Sequence, residues 1–191
     1  MLHPNFAIVG AIISSVGTFV YLVDTIKGTV KPNRVSFLLW SIAPIIAFFA
    51  QIKQGVGMES IMTLSTGVLP LTVFAASFVN KKSEWKISKF DLVCGALSIL
   101  GLILWQITQV GNLAIAFSIM ADGLAAVPTL VKAYHNPETE NAWPWLSTAV
   151  GVVFTLLTIK TLTFANSGFI IYILLVNLLI FFFVQSRIGK K

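Results

Sequence analysis

Seven apolar stretches, each long enough to cross a bilayer, take up most of this chain: residues 6–26, 35–52, 59–79, 90–109, 112–133, 143–162 and 167–186. A helix rises about 1.5 Å per residue and the hydrocarbon core is about 30 Å thick, so runs of roughly 17 to 25 apolar residues read as spanning helices. With 57% hydrophobic and 10% charged residues, little is left from which to build a soluble domain. The expected class is an all-α integral membrane protein with seven transmembrane helices. No basic region or convincing small-residue cleavage site accompanies the first stretch, so it is expected to stay in the protein rather than be removed as a signal peptide. A lone cysteine, Cys94, inside an apolar stretch excludes an intrachain disulfide and a multi-cysteine metal cage, and reads as packing.

Lys27, Pro32 and Trp40 recur as Lys132, Pro137 and Trp145, a K-x4-P-x7-W pattern repeated at a constant offset of 105 residues. Each copy follows a long apolar run, which marks an internal duplication. An even number of crossings separates the copies, so both have the same orientation. The expected plan is 3+1+3: two parallel triple-helix bundles, residues 1–80 and 111–191, joined by an inner basic loop and linker helix over 81–110. The third and seventh stretches are aligned through Ser65-Thr66-Gly67 and Asn166-Ser167-Gly168, an offset of 101 caused by the longer Gln51–Gly57 loop. A tight turn is expected from Gln109 to Asn112. Transporters built this way hold their substrate between the halves near the bilayer midplane.

The net charge of +6 does not point to nucleic acid, because the basic residues are spread over helix ends. With the N-terminus outside, Lys27, Lys31, Arg34, Lys81, Lys82, Lys86, Lys89, Lys132, Arg187, Lys190 and Lys191 all lie inside, and only Lys53 and Lys160 lie outside. That bias predicts an outer N-terminus and a cytoplasmic C-terminus.

Asp122 falls near the middle of the fifth stretch, where a charge costs about 2.5 to 3.5 kcal/mol on insertion scales. Ser118 lies one turn before it and Thr129 two turns after, and Gly123, Ala125 and Ala126 permit close helix approach. A substrate-binding or proton-coupling carboxylate and a packing carboxyl are both open readings. Asn177 sits at similar depth in the seventh stretch; it reads as a ligand for a polar solute or as an interhelical hydrogen bond. Pro44, Pro70 and Pro128 interrupt helices and serve as hinges or static bends. Ser14, Thr18, Tyr21 and Thr25 form a polar stripe on the first helix, which Asp24 closes beside Lys27 as an interfacial ion pair in preference to a gate. Trp40 and Trp145 start their helices at matching positions, and the expectation for them is interfacial anchoring, with a pocket or gating role raised by their equivalence. Trp105 and Gln106 read as interfacial. Glu138, Glu140 and Asn141 read as a solvated inner loop.

Catalysis has poor material: His3 and His135 lie at ends or loops, and no HExxH, GxSxG or nucleotide-binding glycine loop occurs. The seventh stretch has no lysine deep within it for a retinal. No enzyme activity, cofactor, metal or nucleic-acid partner is expected.

Val127-Pro128-Thr129-Leu130-Val131-Lys132-Ala133-Tyr134 resembles the Pro-Gln region of the PQ-loop and SWEET (MtN3) transporters, where a proline late in the first helix of each triple-helix unit precedes a basic loop. Thr129 stands in the glutamine place, and Val23 and Asp24 occupy the pair in the first copy. The resemblance is mainly architectural. It implies a substrate between two bundles, Asn177 as the polar ligand in the final helix, and prolines as hinges of alternating access. Thr72, Ala76 and Ser77 stand where a matching asparagine of the third helix would be. Transporters of nicotinamide riboside type, with related architecture and tryptophan-lined pockets, keep vitamins among the expected substrates. The expected function is a small polar-solute transporter of sugar, amino acid or vitamin class, with protons as the coupling ion through Asp122. The alternative is a ligand receptor or substrate-capturing membrane subunit, with Ala121-x3-Ala125 as its helix-docking face. The lipid bilayer is the surrounding partner; one chain holds both bundles, so a monomer suffices and a homo-oligomer stays open.

Overall fold

The computed structural model describes residues 2–3, 5–108 and 111–187, and the side chains of these except 105, 106, 108 and 187. Seven α-helices follow one another: α1 (Phe6–Lys27), α2 (Arg34–Lys53), α3 (Ser60–Ala76), α4 (Lys89–Thr108), α5 (Gly111–His135), α6 (Ala142–Leu156) and α7 (Phe164–Arg187). Single 3-10 turns cover Lys81–Ser83 and Pro137–Thr139. Four of the helices, α1, α2, α5 and α7, are long and apolar enough to cross a membrane. The side chains of Trp105 and Gln106 and the core of the turn expected after Gln109 lie outside the described residues.

The sequence boundaries hold to within a few residues except in α6, which was expected to run to residue 162 and ends at Leu156. Its 15 residues span only about 22 Å. The segment that follows carries Thr158, Ile159, Thr161 and Thr163, whose branched side chains are poor helix formers. Thr158 turns its hydroxyl back to the carbonyl of Thr155 at 2.7 Å and closes the helix. Other ends are set by capping. The Asn33 side chain accepts from the amides of Val35 and Ser36, Asn141 accepts from Trp143, and Gly28 takes the left-handed φ of 83° that ends α1.

The distribution of polarity is the reverse of that in a water-soluble bundle. Ile12, Val16 and Phe19 of α1, Leu92, Leu100 and Ile103 of α4, and Leu175 and Phe182 of α7 are exposed, while Ser36, Gln51, Ser98, Asp122, Thr129 and Lys132 are buried. Lone Cys94 is buried in α4.

α3 packs against both α1 and α2, and α7 against both α5 and α6; α1 meets α6, α2 meets α5, and α4 lies on α5 and more lightly on α2. The α1–α6 crossing is closest at Gly10 and Gly151, where a methyl added to Gly10 would collide with the Gly151 carbonyl. Ser147 donates to the carbonyl of Ile13 at 2.6 Å in the same seam. Across the α2–α5 seam, the Thr129 hydroxyl donates to Ser36 at 3.0 Å and the Trp40 indole to the Asp122 carbonyl at 3.3 Å. Ala121 and Ala125, the candidate helix-docking face, are fully buried within the chain; Ala121 lies against Gly101 of α4, and its carbonyl accepts from Ser98.

The connections gather at two ends. At one end Lys31 donates its amide to Thr139, Asn80 its side-chain amide to Ile26, and Arg34 its guanidinium to Ser77. This end carries Lys27, Lys31, Arg34, Lys81, Lys82, Lys86, Lys89 and Lys132. At the other, Gln51 donates to the Ala165 carbonyl and Leu2 to that of Leu157, and the lysines are Lys53 and Lys160.

Candidate functional site

Six of the seven helices, all but α4, converge on one cavity. α1 presents Ser14, Thr18 and Tyr21 at helical spacing; α2 presents Phe37 and Trp40; α3 presents Thr66, Leu69, Pro70 and Val73. α5 contributes Asp122, α6 contributes Pro144, Trp145 and Thr148, and α7 contributes Ile173, Val176, Asn177 and Ile180. The cavity has a volume of about 70 Å³, well above the roughly 10 to 15 Å³ needed to hold one water.

The lining of α3 and α7 revises the alignment of those helices. Thr66, Leu69, Pro70 and Val73 answer Ile173, Val176, Asn177 and Ile180, each pair 107 residues apart rather than 101. Asn177 therefore faces the cavity opposite Pro70. Thr72 does not line it: two residues beyond Pro70, it falls on the far side of α3, exposed, with its hydroxyl turned to the Leu69 carbonyl. Thr66 is the polar residue that α3 contributes.

One wall is aromatic. Trp40 and Trp145 meet edge to face with centroids 5.7 Å apart, Phe37 lies 5.2 Å from Trp40, and Tyr21 stacks 5.3 Å from Phe37. Both tryptophans are buried, which corrects their reading as interfacial anchors: they face inward from α2 and α6 and meet ring to ring. Trp145 Nε1 is buried without a hydrogen-bond partner among the described residues.

Asp122 is 1% exposed. Its Oδ2 accepts from the Tyr172 hydroxyl at 2.5 Å, and its Oδ1 has no partner among the described residues. Leaving such an atom unpaired in a buried site costs about 1 to 3 kcal/mol, more for a charge. Asn177 spends one amide proton on the Ile173 carbonyl at 2.8 Å. Ser118 is fully buried one turn before Asp122, its hydroxyl also without a partner among the described residues, but it does not line the cavity.

Next to Tyr21, at the lysine-rich end, lies an ion pair. Lys132 Nζ is 2.5 Å from Glu140 Oε1 with both side chains almost wholly buried, the Tyr21 hydroxyl donates to Glu140 Oε2 at 2.9 Å, and Lys132 also donates to the Lys31 carbonyl. The Trp85 ring covers Lys132 at 5.2 Å. Glu140 is thus no solvated loop residue: the Pro137–Thr139 turn folds it inward to meet Lys132. Asp24, expected to pair with Lys27, instead accepts from the Asn141 side chain at 2.7 Å.

Of the three helix-interior prolines, Pro70 lines the cavity, while Pro44 and Pro128 are buried in α2 and α5 away from it. Each lacks the amide that would bond four residues back, which frees the carbonyls of Trp40, Thr66 and Leu124. Tyr172, Phe37, Thr148 and Glu140 are site residues the sequence did not single out. Phe37 and Thr148 were legible as neighbours one turn from Trp40 and Trp145; Tyr172 and Glu140 carried no local signal. No family model matches this sequence, and no curated protein or solved structure is similar to it.

Proposed function

We propose that this chain is an integral membrane transporter of a small polar solute, with α1–α3 and α5–α7 as parallel triple-helix bundles, α4 as their linker, the N-terminus outside and the C-terminus cytoplasmic. The observation that carries this reading is a cavity between the two sets of helices lined by Asp122 and Trp145, each of which holds a buried polar atom, Oδ1 and Nε1, with no partner among the described residues. Inside a membrane, an ionisable residue that lines a cavity is the mark of a solute or ion path. The paired positions of α3 and α7 on the cavity, the concentration of lysines at one end, and the resemblance to PQ-loop and SWEET transporters agree with it.

In this reading Asn177 and Asp122 hold the solute, Trp40 and Trp145 wall it, Pro44, Pro70 and Pro128 absorb the bending, and the Tyr21–Glu140–Lys132 cluster closes the lysine-rich end. Access alternates by rocking one bundle against the other across the α1–α6 and α2–α5 seams. The test is saturable uptake into proteoliposomes, lost in Asp122→Asn and Asn177→Ala; absence of substrate-dependent flux over a broad solute screen refutes it. Flux driven by an imposed pH gradient and uncoupled by Asp122→Asn assigns the proton to that carboxyl.

The Gly10–Gly151 contact favours a second reading. Backbones this close resist sliding, as expected of a ligand receptor or a substrate-capturing subunit that does not alternate. Ligand binding without flux distinguishes it.

A further inference from the structure

We infer that the cavity takes a small organic cation, a substituted ammonium or a compact cationic ring, rather than an anion. This rests on the reading of the cavity as a solute site and names the solute's chemistry.

Most donors on the wall are already spent. The Ser14 hydroxyl donates to Thr148, Thr18 to the Ser14 carbonyl, Thr66 to the Thr63 carbonyl, Tyr21 to Glu140 and Asn177 to the Ile173 carbonyl. A solute rich in acceptors, such as a carboxylate, would find few donors on such a wall, and each buried acceptor left unpaired costs about 1 to 3 kcal/mol. Asp122 Oδ1 and Trp145 Nε1 are buried without a partner among the described residues, and the Asn177 amide keeps its oxygen and one N–H beyond the bond to Ile173. The carboxylate calls for a donor or a positive charge.

The charges point the same way. Among the described residues no lysine, arginine or histidine lines the cavity, and Asp122 is the only carboxylate that does. Lys132, the nearest cation beyond Tyr21, is held by Glu140 and the Lys31 carbonyl. An anionic solute would therefore face a buried carboxylate with no counter-charge on the wall. A cation would find that carboxylate together with the rings of Trp40, Trp145, Phe37 and Tyr21, whose negative faces attract positive charge most strongly when water is excluded.

The experiment measures equilibrium binding to the full-length protein in nanodiscs by calorimetry and by tryptophan fluorescence. The probes are choline, tetramethylammonium and N-methylpyridinium; 3,3-dimethyl-1-butanol, the uncharged isostere of choline; sorbitol; and glutamate. The expected result is saturable binding of one or more cations, with choline roughly tenfold or more tighter than its isostere, and a comparable loss in Asp122→Asn, which keeps an acceptor for Tyr172. The choline and isostere pair is compared on the unaltered protein, so the outcome does not depend on a variant folding. Equal affinity for choline and its isostere, preference for sorbitol or glutamate, or no binding of any of the three cations at millimolar concentration overturns the inference. Cation binding without vesicle flux supports it and removes transport; sorbitol flux without cation binding keeps transport and overturns it.

Discussion

Replacing Lys132 with methionine should destabilise this protein far more than its loop-end position implies. The ammonium lies 2.5 Å from Glu140 Oε1, and the two side chains are 1% and 0% exposed. Removing it leaves the Glu140 carboxylate buried with the Tyr21 hydroxyl on Oε2, and strips the Lys31 carbonyl of a donor. Breaking one side of a buried ion pair costs about 3 to 5 kcal/mol, because the remaining charge is neither solvated nor paired. Glu140→Leu alone should do comparable harm by stranding the lysine. The double variant Lys132→Met/Glu140→Leu removes both charges into similar volume, and apolar replacement of a whole pair is often neutral. It should recover most of the loss, short of about 1 to 3 kcal/mol for the orphaned Tyr21 hydroxyl. Reversible unfolding in mixed micelles with increasing dodecyl sulfate gives all four corners of the cycle. Single-variant losses below about 1 kcal/mol that simply add would show that Glu140 is solvated after all.

Three further outcomes follow from particular contacts. Gly10→Ala places a methyl against the Gly151 carbonyl and should cost about 1 to 3 kcal/mol in the same unfolding assay, whereas Gly123→Ala, whose added carbon would come no nearer than 3.7 Å to Tyr172, should be neutral or stabilising by up to about 1 kcal/mol. Asn33→Ala removes the acceptor for the first amides of α2 and should lower stability by about 1 kcal/mol; unchanged stability would mean that the cap is not needed. Binding of a solute in the cavity should change tryptophan emission in the unaltered protein and much less in Trp40→Phe/Trp145→Phe, with Trp85, Trp105 and Trp143 as the remaining background; an unchanged response would place the solute elsewhere.

The helices were legible because a spanning apolar run bounded by asparagine, glycine or proline has few other ways to fold. The early end of α6 was harder to read, since Leu157, Ile159 and Leu162 prolong the apolar run past Leu156, and the threonines and Lys160 between them do not by themselves forbid a helix. Depth along a helix drew attention to Asp122 and Asn177, and the structure sets both on one cavity wall. Depth says nothing about rotation, and a shift of two residues put Thr72 on the outer face while Thr66 lines the cavity. The spacing drew attention to Trp40 and Trp145 together and the structure puts their rings in contact, but an aromatic at a helix start looks the same whether it faces headgroups or a neighbouring helix. Glu140 shows the same limit: among Pro137, Glu138 and Asn141 it has the composition of a solvated turn, and only the approach of Lys132 from α5 makes it a buried partner.

The central claim is that the cavity opens alternately to the two sides of a membrane. It is tested most directly by introducing Thr66→Cys or Thr148→Cys into a Cys94→Ala background, reconstituting with known orientation, and labelling with a membrane-impermeant thiol reagent from each side. The account predicts labelling from both sides, slowed from both by a bound solute, while Thr72→Cys on the outer face of α3 shows no such protection. Labelling from one side alone under every condition would contradict it and leave a binding pocket without transport.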